Sequence, residues 1–357
     1  MKNLVINVAL APYRIDFYNA LSQDGESAFY FTQDYVEGSQ FDMDALKRRC
    51  LFEPRVLETR TVLGRKVAIS VWTLLHQCRP ERVFVSEFSL TALLVLLYQK
   101  IRAREMKVIS ICDDSMDMLE GNDFSKLHAA ARKLLTPLFD DMILLDSRAA
   151  AWYQKNYDKG VWFPLIRDER IFRKELDAAA DLGKQLEHHY NLSHRRTVLY
   201  VGRLIALKNL RRVIQAMEDI PARLIIVGDG EERAELQKLC EELKIDALFC
   251  GWCNGPKLLA WYHLADVLVL PSLREPFGAV VNEALIAGCL VCVSQRAGSA
   301  CLVTEDNGLL IDPENTRQIR DSLQLLLKRA DPQRRDKRPS LMPCTFQDAF
   351  QSLTSKL

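Results

Sequence analysis

The sequence predicts an α/β protein made of two doubly wound domains, each with a parallel sheet between helices. Short apolar runs alternate with stretches in which apolar residues recur at helical spacing, and this alternation occurs twice in the 357 residues. A polar segment rich in turn residues, 156–196, lies between the two series. We therefore expect a first domain over 1–165 and a second over 166–342, whose loops face a cleft. A helix near 343–357 is expected to pack back on the first domain.

The first series begins with a buried strand. The predicted strands are 4–9, 28–32, 82–86, 107–112, 142–146 and 161–163. The predicted helices are 15–22, 65–78, 90–104 and 125–139. Because ligands of doubly wound sheets bind beyond the carboxyl ends of the strands, the loops 11–16, 86–89 and 113–117 are candidate binding loops.

The second series begins after a polar segment whose helix is expected to end near 194–196. The predicted strands are 198–201, 223–227, 247–250, 267–270 and 290–293. The predicted helices are 209–217, 231–243, 256–265, 279–287 and 316–328, with a last amphipathic helix over 346–353.

Composition excludes some classes of protein. Hydrophobic residues make up 48% of the sequence and the formal net charge is +1, so no global field favours nucleic acid. No apolar run is long enough for a transmembrane helix. The ten cysteines, many in apolar runs, indicate buried thiols in a reducing compartment. We expect a cytoplasmic protein. The basic segment 328–339 is interpreted as a solvated loop, with attraction to anionic lipid at the inner membrane face as the alternative.

The stretch 274–288 has the pattern of an anion site. It leaves a predicted strand and enters a helix, which places Glu275 in the loop, Gly278 near the helix start and Glu283 in the second turn. The first turn of a helix offers unpaired N–H groups, and carboxylates accept hydrogen bonds from hydroxyls. Phosphate together with hydroxyls describes a nucleotide sugar. The alternative is an ordinary strand–loop–helix unit with two surface glutamates.

A second loop, 202–209, follows the first strand of the second domain. Arg203 and Lys208 suit a diphosphate, one as a fork and the other as a point charge. The alternative is a pair of surface charges. Gly228-Asp229-Gly230 closes the next strand, where a short Gly-x-Gly is weak evidence because turns use it freely.

Two Cys-x-x-Cys pairs, 250–253 and 289–292, are interpreted as buried apolar residues rather than as zinc ligands, because strands and helices separate them. We expect no metal site. In the first domain, Asp113-Asp114 follows a strand and could act as a base or hydrogen-bond acceptor, or could cap the next helix. Glu87 and Asp16 are weaker cases of the same kind.

The second domain resembles the retaining glycosyltransferases of family 4, group 1, which have the GT-B fold of two Rossmann-like domains. The resemblance covers about 197–328, and its motifs in order are 202–203 with 208–209, 228–230, 265–272, and 275–278 with 283–288. It implies that Glu275 contacts the donor sugar and Glu283 the ribose hydroxyls, while Arg203 and Lys208 hold the diphosphate. The predicted donor-binding residues are Gly202, Arg203, Lys208, Gly228, Glu275, Phe277, Gly278, Ala279 and Glu283.

The first domain departs from that family in two places. Its first loop is 11–14, Ala-Pro-Tyr-Arg, where many members have a glycine-rich loop. Where many members place a histidine after the fourth strand, Asp113 stands here, which makes it a candidate catalytic residue beside Glu275, Arg203 and Lys208.

The resemblance implies a transferase that moves a hexose-type sugar from a UDP- or GDP-linked donor to a glycan or lipid-linked acceptor in polysaccharide or glycoconjugate synthesis. We expect this transferase to need no resident cofactor and to bind no nucleic acid. Peripheral contact with a membrane is a further expectation. The alternatives are a sugar-nucleotide epimerase or hydrolase on the same fold, and a non-catalytic nucleotide-sugar-binding protein.

Overall fold

The computed structural model describes residues 1–34, 42–62, 64–120, 126–193, 195–331 and 338–357. The chain divides into two compact units. The first consists of Met1–Leu165 together with Asp348–Leu357, and the second of Ile166–Gln347.

The first unit contains strands and helices in close alternation. Its strands are β1 (Asn3–Asn7), β2 (Ser27–Phe31), β3 (Pro54–Val56), β4 (Arg60–Val62), β5 (Arg65–Val67), β6 (Arg82–Ser86), β7 (Lys107–Cys112), β8 (Asp141–Leu144) and β9 (Val161–Trp162). Its helices are α1 (Ile15–Gln23), α2 (Met43–Arg48), α3 (Val71–Cys78), α4 (Leu90–Arg102), α5 (Met116–Glu120), α6 (Lys126–Leu135) and α7 (Ser147–Tyr157).

The main sheet of this unit is parallel, with the order β3-β2-β1-β6-β7-β8-β9. The strands β4 and β5 form a separate antiparallel hairpin. The order reverses between β1 and β6, so the loops that follow these two strands flank the point where doubly wound sheets hold ligands.

The second unit repeats this architecture with different lengths. Its strands are β10 (Arg196–Val201), β11 (Ala222–Val227), β12 (Ala247–Gly251), β13 (Val267–Leu270), β14 (Leu290–Ser294) and β15 (Gly308–Ile311). The helices are α8 (Glu169–Ala178), α9 (Ala180–His189), α10 (Leu210–Ala216), α11 (Arg233–Glu242), α12 (Gly255–Leu264), α13 (Val280–Ile286) and α14 (Thr316–Arg329). Helix α15 (Phe346–Thr354) follows. Most of it belongs to Asp348–Leu357, the second piece of the first unit, which we call the return segment.

The sheet of the second unit has the order β12-β11-β10-β13-β14-β15 and is parallel throughout. Its central strands β10 and β13 are almost fully buried, as expected for strands covered by helices on both faces. The order reverses between β10 and β13, which brings the loops 202–209 and 271–278 to the two sides of one reversal point.

Some elements differ from the sequence prediction. The predicted helix 65–78 is wrong in its first part, because Arg65–Val67 pairs with Arg60–Val62 as a hairpin and the helix begins only at Val71. The strand β15 was not predicted. Of the predicted helix 125–139, residue 125 lies outside the described residues, and Thr136–Leu138 forms a 3₁₀ turn. The polar helix before the second domain ends at His189 rather than near 194–196.

The cysteines of the two Cys-x-x-Cys pairs are largely buried. Cys253, Cys289 and Cys292 are buried and Cys250 is partly so. Burial raises the pKa of both the Cys250 and the Cys292 thiol to about 12. Since zinc binds the thiolate, this burial favours the interpretation of these cysteines as small apolar residues.

Two properties of the described residues concern metal binding and membrane spanning. Among them, no three His, Cys, Asp or Glu side chains are grouped so that they could hold a metal ion. Over the same part of the chain, no helix is both long enough and apolar enough to cross a bilayer.

Candidate functional site

The two predicted motif loops of the second unit are joined by backbone and side-chain hydrogen bonds. The amide of Leu273 donates to the carbonyl of Leu207 at 2.9 Å. Asn209, held in the left-handed region at φ 57°, donates from Nδ2 to the carbonyls of Pro271 at 3.1 Å and Pro313 at 2.7 Å. These bonds fix the loop after β10 against the loop after β13.

The joined loops bring Lys208 and Glu275 into direct contact. The ammonium of Lys208 donates to Oε2 of Glu275, with 16% and 12% of the two side chains exposed. The hydroxyl of Ser272 donates to the same oxygen at 3.3 Å. Beyond the end of the strands, Glu275 also forms a parallel bridge with Ala297, so the loop is held by the sheet. Two of the residues predicted from separate motifs therefore form one cluster.

The other predicted residues of this edge differ in exposure. The side chain of Arg203 is exposed, while its carbonyl accepts a hydrogen bond from the hydroxyl of Tyr200 at 2.7 Å. Phe277 is buried, and Ala279 is the residue before the seven-residue helix α13. Gly278 has φ +92°, and a β-carbon there would lie 2.6 Å from Cδ2 of Leu270. Glycine at 278 is therefore required by both conformation and space.

Gly202 and Gly228 lie where the loops after β10 and β11 approach each other closely. Gly202 donates its amide to the carbonyl of Val227 at 3.0 Å, so the loops after β10 and β11 run side by side. A β-carbon at Gly228 would lie 1.9 Å from the carbonyl oxygen of Gly202. Conformation and space therefore explain Gly228 without any ligand, whereas a β-carbon at Gly202 would lie 3.0 Å from the hydroxyl oxygen of Tyr200. The role of both glycines in donor binding stays a prediction.

Glu283 is held from one side by residues that sequence reasoning missed. The hydroxyl of Tyr262 in α12 donates to Oε2 of Glu283 at 2.7 Å. The guanidinium of Arg167, which precedes α8, lies 3.9 Å from Oε1. No local pattern could have revealed this arrangement, because the three residues come from three elements that only packing brings together.

In the first unit, Asp113 lies at the carboxyl end of β7 and forms an ion pair with Arg14 of the first loop. The amide of Asp113 donates to Oε1 of Glu87 at 3.3 Å. Burial, followed by the charges of Asp113 and Asp114, raises the pKa of the Glu87 carboxyl to about 7. The structure thus places a cation and a second carboxyl group beside the predicted Asp113, at the reversal point of the first sheet.

The neighbouring Asp114 has a different environment. It is 1% exposed and accepts hydrogen bonds from the hydroxyl of Tyr153 at 2.6 Å and from Arg132 at 3.2 Å, with Nε2 of His128 also at 3.2 Å. Burial alone would raise the pKa of Asp114, but the hydrogen bonds of His128 and Tyr153 and the positive charges lower it below its usual range. These contacts give Asp114 a structural role beneath Asp113.

Part of the chain is similar to a known family of proteins. Residues 185–338 match the family described as Glycosyl transferases group 1. An uncharacterised glycosyltransferase of Methanocaldococcus jannaschii is 38% identical over 131 residues, which are 35% of this chain and 34% of that protein. A GDP-mannose-dependent alpha-mannosyltransferase of Mycolicibacterium smegmatis is 35% identical over 193 residues, 52% of this chain and 46% of that protein. The chain thus spans about a third to a half of these curated relatives.

Solved structures resemble the whole chain. Anabaena HepE, crystallised with UDP, superposes with a TM-score of 0.73 at 16% identity and covers 100% of this chain and 95% of its own. WaaG, a glycosyltransferase involved in lipopolysaccharide biosynthesis, superposes with a TM-score of 0.65 at 16% identity, covering 99% of both chains. These likenesses confirm the predicted GT-B fold class. The family match is confined to residues 185–338, and the solved structures, at 16% identity, bear on the fold alone.

Proposed function

We propose that this protein is a retaining glycosyltransferase that moves a hexose-type sugar from a nucleotide-diphosphate sugar to a glycan or lipid-linked acceptor. The observation that carries the proposal is the contact between Lys208 and Glu275, which come from two motifs and meet at the reversal point of one sheet. The relatives support a UDP- or GDP-linked donor, since one is named for GDP-mannose and one neighbour was crystallised with UDP.

In this proposal the cations act on the leaving group. Arg203 and Lys208 neutralise the charge that develops on the diphosphate as its bond to the anomeric carbon breaks. The acceptor oxygen forms the new bond to that carbon on the same face, and the acceptor's hydroxyl proton passes to the leaving diphosphate oxygen. Glu275 orients the sugar, and Glu283 accepts hydrogen bonds from the ribose. Asp113 is a candidate for the acceptor side.

The proposal extends to the setting of the reaction. We propose a role in surface polysaccharide or glycoconjugate synthesis, in the cytoplasm, with peripheral contact at the inner membrane face when the acceptor is lipid-linked. Sedimentation with vesicles containing an anionic phospholipid tests the membrane contact directly. Recovery of all protein in the supernatant at low salt contradicts that part of the proposal.

A donor screen is the first test. Binding to the folded state raises stability by mass action, by about 2.7 kcal/mol when the ligand is at one hundred times its Kd. We expect the unfolding temperature to rise with one class among UDP-, GDP-, ADP- and CMP-sugars. No shift with any of the four classes contradicts the proposal.

Lys208→Ala is the sharpest test of the chemistry. It removes the point charge from the leaving group, and we expect nucleotide release from the active donor to fall by at least about 100-fold. Because both side chains of the Lys208–Glu275 pair are mostly buried, the variant should also lose about 1–3 kcal/mol of unfolding free energy, so its fold is checked by circular dichroism before turnover is measured. The matched control is Lys238→Ala, which removes an exposed lysine of α11 and should leave turnover unchanged.

Retention of near-full turnover by Lys208→Ala would overturn the assignment. Product analysis separates the other activities of the same fold. An epimerised sugar nucleotide or a free sugar, formed at a rate that no added acceptor changes, indicates an epimerase or hydrolase. Tight donor binding without nucleotide release indicates a binding protein.

A further inference from the structure

The carboxylate of Glu283 is built into a cluster that involves three elements of the second unit. Glu283 lies in α13 with 19% of its side chain exposed. Tyr262, at the end of α12, is fully buried, and its hydroxyl donates to Oε2 of Glu283 at 2.7 Å. One oxygen of the carboxylate is thereby fixed by a donor that is itself held in the core.

The second oxygen of Glu283 faces a buried cation. The guanidinium of Arg167, 8% exposed at its side chain, lies 3.9 Å from Oε1. It also donates to Glu175 at 3.1 Å and lies over the ring of Phe172, with 5.1 Å from its central carbon to the ring centroid. These contacts hold the guanidinium in one place, so its positive charge has a fixed position beside Oε1 of Glu283.

Two further hydrogen bonds fix the backbone around this cluster. The amide of Arg167 donates to Oδ1 of Asn282, the residue before Glu283, at 3.0 Å. The thiol of Cys289 donates to the carbonyl of Tyr262 at 3.2 Å. The segment before α8 is therefore attached to α13, and the end of α12 is attached to Cys289 in the link between α13 and β14.

The tyrosine keeps its proton at all physiological pH values. Burial, followed by the charge of Glu283 and the hydrogen bond to it, raises the pKa of the Tyr262 hydroxyl well above its ordinary value. Tyr262 is therefore always a donor, and Glu283 always presents the same oxygen to it. Because Oε2 is held by Tyr262, the carboxylate keeps one orientation, and the acceptor positions that it offers to a further hydroxyl therefore have fixed directions, as selective recognition of a hydroxyl requires.

We propose that Tyr262, assisted by Arg167, is a positioning residue that orients Glu283 and thereby makes the second unit selective for ribonucleotides over deoxyribonucleotides. This inference rests on the proposed function, in which Glu283 accepts hydrogen bonds from the ribose. Tyr262 acts through Glu283 and need not touch the nucleotide itself.

The test measures ribose discrimination rather than activity. UDP and GDP, each with its 2′-deoxy and 3′-deoxy analogues, are titrated calorimetrically into the full chain. In the wild type we expect at least one deoxy analogue to bind about tenfold more weakly or worse, the cost of losing one hydrogen bond to a charged acceptor. Glu283→Gln should remove most of this difference.

Tyr262→Phe keeps the buried ring and removes only the hydroxyl. We expect the affinity for the ribonucleotide to fall about five- to tenfold while the affinity for the deoxy analogue stays within about twofold, so that the ratio collapses. A merely structural role would weaken both ligands equally. Arg167→Gln, which removes the charge, should lower the ratio in the same direction and serves as a second variant if Tyr262→Phe does not fold.

The matched control is Tyr153→Phe, which deletes the same type of buried tyrosine–carboxylate hydrogen bond in the first unit, from Tyr153 to Asp114. It should reduce stability comparably and leave the ratio unchanged. The inference is overturned if Glu283→Gln removes the discrimination while Tyr262→Phe and Arg167→Gln retain it. If neither diphosphate binds, or if the wild type does not discriminate, the role proposed for Glu283 in donor binding fails, and the inference fails with it.

Discussion

Glu87 has an unusual backbone conformation for its residue type. It follows β6 with φ +37°, in the left-handed region that favours glycine, and its amide donates to the carbonyl of Ile111 at 3.0 Å. This conformation turns the carboxyl group toward Asp113, whose amide it accepts. Burial in the first place, and the charges of Asp113 and Asp114 in the second, disfavour the ionised form of Glu87 and raise its pKa to about 7.

This raised pKa makes stability depend on pH. Between the ordinary glutamate value and about 7, the folded state binds more protons at Glu87 than the unfolded state, so stability falls as pH rises through this window. Glu87→Gln removes the titration. As pH rises from 5 to 8, the unfolding free energy of the wild type should therefore fall, relative to that of the variant, by on the order of 2–3 kcal/mol. Urea unfolding of both proteins at both pH values measures this change.

The matched control for this prediction is Glu81→Gln, which removes an exposed carboxyl group just before the start of β6. It should follow the wild type at both pH values. Parallel pH dependences of the wild type and Glu87→Gln would show that Glu87 does not titrate near neutrality in the folded protein.

At the residue scale, the sequence was informative where chemistry is local. Lys208 and Glu275 could be predicted because each sits at a fixed distance from a strand end, and strand ends of a parallel sheet share one edge. Tyr262 and Arg167 could not be predicted, since their relation to Glu283 depends on how α12 and the segment before α8 pack against α13. The ion pair of Arg14 with Asp113 likewise joins residues far apart in the chain.

At the scale of elements, the loops after β10 and β11 are in backbone contact. Gly228 has φ +143° and leaves no room for a side chain against the carbonyl of Gly202. Gly228→Ala adds a β-carbon where neither backbone can move without breaking the hydrogen bond from Gly202 to Val227. We expect a loss of about 2–4 kcal/mol in unfolding free energy, measured by chemical denaturation.

Gly255→Ala is the control for the conformational part of that effect. Gly255 also has positive φ, +51°, but nothing lies within 4 Å of a β-carbon placed there. This variant should lose only about 1 kcal/mol, the cost of the backbone conformation alone. Equal losses in the two variants would mean that the close contact between the loops contributes nothing to stability.

The alternation of strands and helices could be predicted at this scale because each pattern is local to about ten residues. The hairpin of β4 and β5 was missed because five of its six strand residues are exposed and the strands carry no apolar alternation. The strand β15 has four residues, its apolar run Leu309–Ile311 is short, and its two middle residues are not fully buried. Both misses occur where burial is weak.

At the scale of the whole molecule, the first unit is assembled from two pieces of chain, Met1–Leu165 and Asp348–Leu357. In the second piece, the side chain of Leu353 is buried, and the ring of Phe350 lies 6.2 Å from that of Phe17 in α1. The ammonium of Lys107 donates to the carbonyl oxygen of Leu357 at 2.6 Å. The return segment is thus part of the packing of the first unit.

Leu353→Ala should therefore destabilise the first unit selectively. Loss of a buried leucine side chain costs about 2–5 kcal/mol. Hydrogen exchange should show faster exchange for amides of β1 and α1, while amides of β10 and β13 in the second unit serve as an internal reference. The control Lys356→Ala removes an exposed side chain of the same segment and should change neither set. Uniform acceleration in both units would contradict a selective effect.

The two-piece first unit also has a consequence for the order of events on the ribosome. The whole second unit is synthesised between the two pieces, so it emerges with all its strands while the first unit still lacks its return segment. Domains usually fold in the order of synthesis. Here the unit that starts first would be completed last, and its apolar positions around Phe17 would stay uncovered until Phe350 and Leu353 have left the exit tunnel.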